Sequence, residues 1–164
     1  DINLEEWFNL YNCLIERHSI TGIRKFSRNC FAKQIAIRNT HYFRVLYRNK
    51  AIGGNLYYIQ NNVAYAHLSA FSEEGYDLGA ACAVKWIALQ YLVNHVKWIN
   101  FGGGASNSNV EIKGLDLFKQ GWSNETKHSY FVGKILNSNK YDRITIKNGL
   151  SGIHWFPAYR NNDF

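Results

Sequence analysis

Apolar residues recur at helical spacing over the first eighteen positions. Leu4, Trp7, Phe8, Tyr11, Ile15 and His18 follow Asn3, a good N-cap, with Glu6 three residues later as in a capping box. The spacing predicts an amphipathic helix over residues 4–18. Gly22 interrupts the pattern, and a less regular helix is expected over about Ser27 to Ile37, where Phe31, Gln34 and Ile35 share a face. The period then changes to that of strands. Tyr42 to Tyr47, Ala51 to Gln60 and Val63 to Ala70 are rich in β-formers, and Asn61-Asn62 is a tight-turn signal, so these segments are expected to form an antiparallel meander.

Helical spacing returns from Gly79 to about His95. Ala81, Val84, Ala88, Tyr91 and Leu92 lie on one face and Trp86, Ile87 and Leu89 on another, so the helix is expected to sit mostly inside the fold. Lys97 to Phe101 reads as a short buried strand ending at Gly102-Gly103-Gly104, with a polar loop through Ser106, Asn107, Ser108 and Asn109. A short helix holding Leu115, Phe118 and Trp122 should follow, then a strand over His128 to Leu136, with Trp155 to Tyr159 closing the sheet. This order predicts an α+β layered domain around a mixed, mostly antiparallel sheet. The segment through the Gly79 helix should be a crossover that makes the Val63 and Lys97 strands parallel neighbours. It places a helix N-terminus just after a strand, where unpaired N–H groups and a partial positive charge make Gly75 to Ala81 the natural phosphate site.

At 164 residues and 46% hydrophobic content the chain is expected to form one domain over residues 1–164. It contains no run of about 18 apolar residues and no secretory pattern at its start, so it reads as cytoplasmic with no membrane span. Met is absent even at position 1, as expected of a chain trimmed or cut from something longer, one lobe of a larger protein among the options. Cys13, Cys30 and Cys82 are odd in number and widely spaced, which argues against a disulfide framework or a zinc site.

The net charge of +7 is unevenly placed. No Asp or Glu occurs from Arg17 through Ser72, a stretch that holds Arg17, Arg24, Lys25, Arg28, Lys33, Arg38, Arg44, Arg48 and Lys50. The reading is either a surface for an anionic ligand or a solvated basic face, and charge alone does not separate a nucleotide from a nucleic acid. Several chemistries are excluded by pattern: the three glycines lack a dinucleotide or P-loop completion, no HExxH or Gly-x-Ser-x-Gly occurs, and the six histidines show no metal-ligand spacing.

What remains is a dispersed set of segments: HLSA at 67–70, EEGYDLGA at 73–80, INFGGG at 99–104 and GLDLFKQGWS at 114–123. In order and spacing these resemble the acyltransferase lobe of the FemAB-like branch of the GNAT superfamily, over about residues 65–123 and more thinly over 4–64. The resemblance implies a GNAT-like three-layer domain with helices flanking the sheet, acting as an N-acyltransferase. The donor would be acetyl-CoA or another acyl-CoA, and the acceptor an amine-bearing small molecule or peptide. It also implies a donor cleft between two splayed parallel strands, Ala66 to Ala70 and Trp98 to Phe101. The pantetheine arm would meet the backbone near Leu68, Ser69 and Ala70, and the pyrophosphate would meet Gly75, Tyr76, Gly79, Ala80 and Ala81. The superfamily fingerprint there is Gln/Arg-x-x-Gly-x-Gly/Ala; Gly79 and Ala81 match it, and Tyr76 departs from it. Relatives that use aminoacyl-tRNA leave tRNA as the alternative donor, and a non-catalytic binding lobe is the third reading.

Four side chains are candidates for the chemistry. Lys119 matches the lysine of the family's Phe-Lys-x-Gly-aromatic motif, and otherwise reads as an exposed helix charge. His67 suits a base near neutral pH, although a strand histidine is more often a satisfied polar group in a half-buried sheet. Asp116 and Tyr130 complete the set, against the plain readings of a solvated acid and a packed strand tyrosine.

Overall fold

The computed structural model describes residues 2–103 and 114–161. The chain divides into two compact units: Asp1–Ile20 with Phe26–Asn124, and Thr21–Lys25 with Glu125–Phe164.

In the larger unit, helix α1 (Leu4–His18) begins where Asn3 Oδ1 accepts the Glu6 N–H at 3.1 Å. It ends with Arg17 and His18 in the last turn, where positive charge suits the negative end of the helix dipole. Ser27 caps α2 (Arg28–Ile35) in the same manner through the Cys30 N–H. Strands β1 (Thr40–Tyr47), β2 (Lys50–Gln60) and β3 (Val63–Phe71) form the expected meander. Both hairpins turn through residue pairs with positive φ, Arg48-Asn49 and Asn61-Asn62, the geometry that matches strand twist. A short helix α3 (Glu73–Asp77) and the longer α4 (Ala80–Leu92) lead to β4 (Trp98–Asn100), which lies parallel to β3 as expected. Helix α5 (Gly114–Gln120) follows.

The sheet runs in the order β1-β2-β3-β4, between two helical layers. On one face α1 and α2 pack Trp7, Leu10, Tyr11, Ile15 and Phe31 against Leu56 and Ala70. On the other, Ala80, Val84, Ala88 and Leu92 of α4 pack against Ile52, Tyr57, Ala64 and Phe71. Trp7 and Phe31 are fully buried and meet edge to face, 6.0 Å between centroids at 89°, so the first layer is anchored by aromatic burial. This is the α+β, three-layer arrangement that the sequence implied.

Two bulges decide which residues face which layer. The β2–β3 register runs from Leu56↔Leu68 to Tyr57↔Ala66, which leaves His67 as the extra residue. Ala64 and Ala66 therefore face α4, whereas Leu68 and Ala70, at the same parity, face α1 and α2. A second bulge leaves Ile52 unpaired against β1.

Several expectations need correction. The segment 128–136 forms no strand, and its Tyr130, Phe131 and Val132 are largely exposed: β-propensity without a ladder partner does not make a strand. Trp155 to Tyr159 does not close a sheet; a 3-10 turn, Ala158–Arg160, starts within it. The smaller unit instead contains a helix that the pattern did not announce, α6 (Ser138–Lys147), capped by Asn137 through the Lys140 N–H. Trp122 lies beyond the end of α5. The first part of the Gly75 to Ala81 turn is helical, as α3. Helix α4 buries one face only: its small residues allow close approach to the sheet, and Trp86 and Ile87 on the other side are each 55% exposed. Gly104 and the polar loop at 106–109 lie outside the described residues.

Candidate functional site

The parallel pairing of β3 with β4 is short: Val63 with Trp98, Ala64 with Ile99, Tyr65 with Asn100. From Ala66 onward that edge of β3 has no strand partner among the described residues, and the His67 bulge falls where pairing stops. A bulge increases local twist, which turns the strand away from its neighbour. Leu68 is half-buried, Ser69 exposed and Ala70 fully buried along the freed stretch. Backbone groups there are available to a ligand lying along the strand.

The turn after β3 separates the roles of its two glycines. Ser72 Oγ caps α3 through the Gly75 N–H at 3.1 Å. Gly75 is buried, and a Cβ on it would run into the Ile52 carbonyl oxygen, so glycine is required there by packing. Gly79 has φ +67° and open space where a Cβ would stand; it caps α4 with no side chain over the helix end. Ala80 is buried behind it, Ala81 half-buried. No side chain caps the first N–H groups of α4. Tyr76, the departure from the fingerprint, carries the Arg17 guanidinium 4.1 Å from its ring centroid. Burial raises the Tyr76 pKa, with Arg17 opposing, so the ring stays neutral and the positive charge belongs to Arg17.

Two lysines converge on the residues that leave β4. Lys119, on α5, donates to the Gly103 carbonyl oxygen. Burial lowers its pKa, and Asp116 on the same helix opposes the shift. Lys85, on α4, is 6% exposed; its Nζ lies 3.2 Å from the Tyr57 hydroxyl oxygen and 4.4 Å from the centroid of the Phe101 ring. Burial, reinforced by the like charge of Lys119, lowers the Lys85 pKa to about 8. Burial also pushes the Tyr57 hydroxyl up to about 12, partly offset by a hydrogen bond with Asn55. Asn55 is 2% exposed and its Oδ1 has no hydrogen-bond partner, so an acceptor stands open beside the tyrosine.

Of the four chemical candidates, Lys119 and Asp116 belong to this cluster. His67 does not: its Nε2 is 3.1 Å from Gln34 Oε1 of α2, and its ring packs on Tyr58 at 4.6 Å, on the opposite side of the sheet from α4. Partial burial lowers its pKa, so it is neutral near pH 7 and already has a side-chain partner. Tyr130 is 84% exposed and belongs to the smaller unit. The sequence reading missed Lys85, Tyr57 and Arg17. Lys85 carried a signal: with Ala81, Ala88 and Leu92 it falls on one stripe of the apolar helix, where a charge is out of place unless it has a task or a partner.

A concavity of about 560 Å³ between α1, α2 and β1 is lined by Asn3, Thr40, Tyr42 and Arg44, with Ile2 and Ile35. Its arginine is paired with Glu6, and Arg28 is likewise paired with Glu5, so part of the basic stretch is neutralised within the fold. Among the described residues no three His, Cys, Asp or Glu side chains gather to hold a metal, and no helix is long and apolar enough to cross a membrane.

No protein-family model matches the sequence, and no curated protein sequence matches it. Solved structures do resemble it. An aminoglycoside acetyltransferase from an uncultured soil metagenomic sample, in complex with sisomicin, aligns over 82% of this chain and 91% of that one, with 13% identity and a TM-score of 0.61. A ribosomal-protein-alanine N-acetyltransferase from Brucella melitensis biovar Abortus aligns over 80% and 92%, with 9% identity and a TM-score of 0.59. An aminoglycoside N-acetyltransferase in complex with CoA aligns over 82% and 96%, with 15% identity and a TM-score of 0.54. These structures share the fold that the resemblance implied and give no support to its FemAB-like branch. At such identities the likeness establishes architecture: the chain has the fold of the GNAT acetyltransferases.

Proposed function

We propose that this chain is an N-acyltransferase that moves an acyl group, acetyl in the simplest case, from CoA to an amine. The observation that carries the reading is the end of β3–β4 pairing at Tyr65 and Asn100, beside the His67 bulge, with Lys119 at the exit from β4. An extended thiol cofactor would lie along Ala66 to Ala70 and bring its thioester to the lysines. Its pyrophosphate would meet the open start of α4 at Gly79, with Arg17 supplying the charge that Tyr76 lacks. The acceptor amine attacks the thioester carbonyl carbon, and the oxygen gains negative charge in the transition state. The Lys119 ammonium is the group to stabilise it. Asp116 and the Gly103 carbonyl favour that ammonium where it stands.

The first test pairs binding with turnover. Acetyl-CoA and CoA should raise the melting temperature while nucleotide controls do not, because binding to the native state stabilises it by mass action. Thiol release from acetyl-CoA should then depend on an added amine. Aminoacyl-tRNA, the other donor, draws no support from the comparisons. It would show itself by tight binding that falls roughly 10³-fold or more between 50 and 200 mM salt, as neutralisation of six or more phosphates requires. Such binding with no CoA binding would overturn the proposal.

A further inference from the structure

The acyl-transfer reading leaves the proton of the acceptor amine without a destination, and Lys85, the most buried cation among the described residues, has no part in it. Lys85 and Lys119 approach the exit from β4 from opposite elements, α4 and α5, one against the Phe101 ring and the other on the Gly103 carbonyl. Two ammonium groups so placed cannot both keep full charge at low cost, and their environments decide which gives way. Lys119 is half-buried, holds a carbonyl oxygen and has Asp116 on its own helix, all of which favour the charged form. Lys85 is almost wholly buried, and its direct contacts are a phenol and a phenyl ring.

Resting on the acyl-transfer reading, we propose that Lys85 is the proton acceptor of the reaction, its neutral amine taking the proton that the acceptor nitrogen sheds while Lys119 remains the cation that steadies the oxyanion. The N–C bond forms as the acceptor amine attacks the thioester carbonyl carbon, and the surplus proton on nitrogen passes to the Lys85 Nζ. The carbonyl re-forms as the C–S bond breaks, and the departing thiolate takes the proton from Lys85. Amine and thioester become amide and thiol, and Lys85 is returned neutral. The contact with Tyr57 serves both states. Charged or neutral, Lys85 donates an N–H to the Tyr57 hydroxyl oxygen, which leaves the lone pair of the neutral amine for the incoming proton, and a hydroxyl held up to about 12 stays protonated near pH 8. A base of pKa about 8 suits both partners of the transfer.

The groups around Lys85 are few. β2 presents Asn55 and Tyr57, β3 presents Ala64 and Ala66, and β1 presents Phe43 to the same side. α3 contributes Tyr76 to the apolar cluster around Val84, and α5 contributes Lys119 with Asp116 behind it. The remaining titratable side chains that pack on α4, His41 and His95, gather around Tyr91, well over a turn beyond Lys85.

The test is the pH profile of amine-dependent thiol release at saturating acetyl-CoA. The parent should rise through an apparent pKa near 8, below the alkaline limb that loss of the Lys119 proton sets. Lys119→Met should move that midpoint upward, because it removes the like charge facing Lys85. Lys85→Met should lower kcat by about 10²-fold or more and abolish the rise. Lys85→Arg is the decisive variant: it restores charge and bulk but cannot give up its proton near neutral pH. It should be as inactive as the methionine variant, while both retain a parental far-ultraviolet spectrum and acetyl-CoA binding. Recovery of activity in Lys85→Arg, or an unchanged profile in Lys85→Met, overturns the proposal and leaves the acyltransferase reading intact. A parent that binds CoA and releases no thiol with any amine overturns both. If Lys85→Arg fails to fold, the Lys85→Met profile and the shift in Lys119→Met decide the matter.

Discussion

The Lys85 Nζ lies 3.2 Å from the Tyr57 hydroxyl oxygen, beneath α4 and against the mostly apolar sheet face that also carries Asn55. A charge in that position lacks the water it would have in the unfolded chain, so folding favours the neutral amine. The folded pKa of about 8 stands below the ordinary value of 10.5, and between those values the unfolded state binds more protons than the folded one. Stability therefore rises with pH across that window, by on the order of 3 kcal/mol from this residue. The melting temperature should climb from pH 8 toward pH 10, before the raised tyrosines begin to oppose it, since they hold protons that the unfolded chain releases. Lys85→Met should be more stable than the parent at pH 7 and climb less over the same range, keeping only the rise that the lowered Lys119 contributes. A parental curve in the methionine variant would show that Lys85 sits in water.

Arg17 offers a second measurement. Its guanidinium is carried on the Tyr76 ring to the turn where the fingerprint would place a glutamine or arginine. Arg17→Ala should weaken CoA binding about tenfold, equivalent to roughly 1.4 kcal/mol, with little change in melting temperature. Binding of a dephosphorylated pantetheine thioester should be unaffected. An equal loss for both ligands would assign Arg17 to packing.

Much of the larger unit was legible because its local signals agree with its packing. Asn3 with Glu6, Ser27, and the Asn61-Asn62 pair each mark a boundary by a hydrogen bond or a φ value that the structure contains. The bulge at His67 left no such mark. It follows from how two strands pair, and it moves the histidine to the α2 side, away from the lysines. The smaller unit was misread because Tyr130 to Val132 carry strand propensity with nothing to pair with among the described residues, whereas α6 is announced by Asn137 and a narrow stripe of Tyr141, Ile144 and Thr145. Lys85 was visible as a charge in an apolar stripe; Tyr57, 28 residues away, and Asn55 on the same strand give it meaning.

The two glycines of this turn should both lose stability on replacement by alanine, for different physical reasons. Gly75→Ala drives a methyl group into the Ile52 carbonyl oxygen, and since backbone cannot yield cheaply, a loss of about 1–3 kcal/mol is expected. Gly79→Ala meets no atom but must hold φ +67°, at about 1–2 kcal/mol. A bulkier Gly79→Val in a folded protein should remove CoA binding by covering the start of α4. A folded Gly79→Val that binds CoA like the parent would move the pyrophosphate elsewhere.

Lys119 and Asp116 provide the last prediction. The half-buried Lys119 has a lowered pKa because it gives up water, and Asp116 on the same helix limits the fall. If its ammonium steadies the oxyanion, Lys119→Ala should reduce kcat by about 10²–10³ with KM for acetyl-CoA nearly unchanged, since the interaction exists only in the transition state. An exposed lysine would instead cost within about 0.5 kcal/mol of stability and nothing in rate. Asp116→Asn removes the charge that holds the proton on Lys119, so the alkaline limb of the kcat profile should move to lower pH. The direction follows from sign alone: losing a nearby anion favours the neutral amine, and the neutral amine is the inactive form. A shift to higher pH, or near-parental kcat in Lys119→Ala, would return both residues to the solvated face of α5.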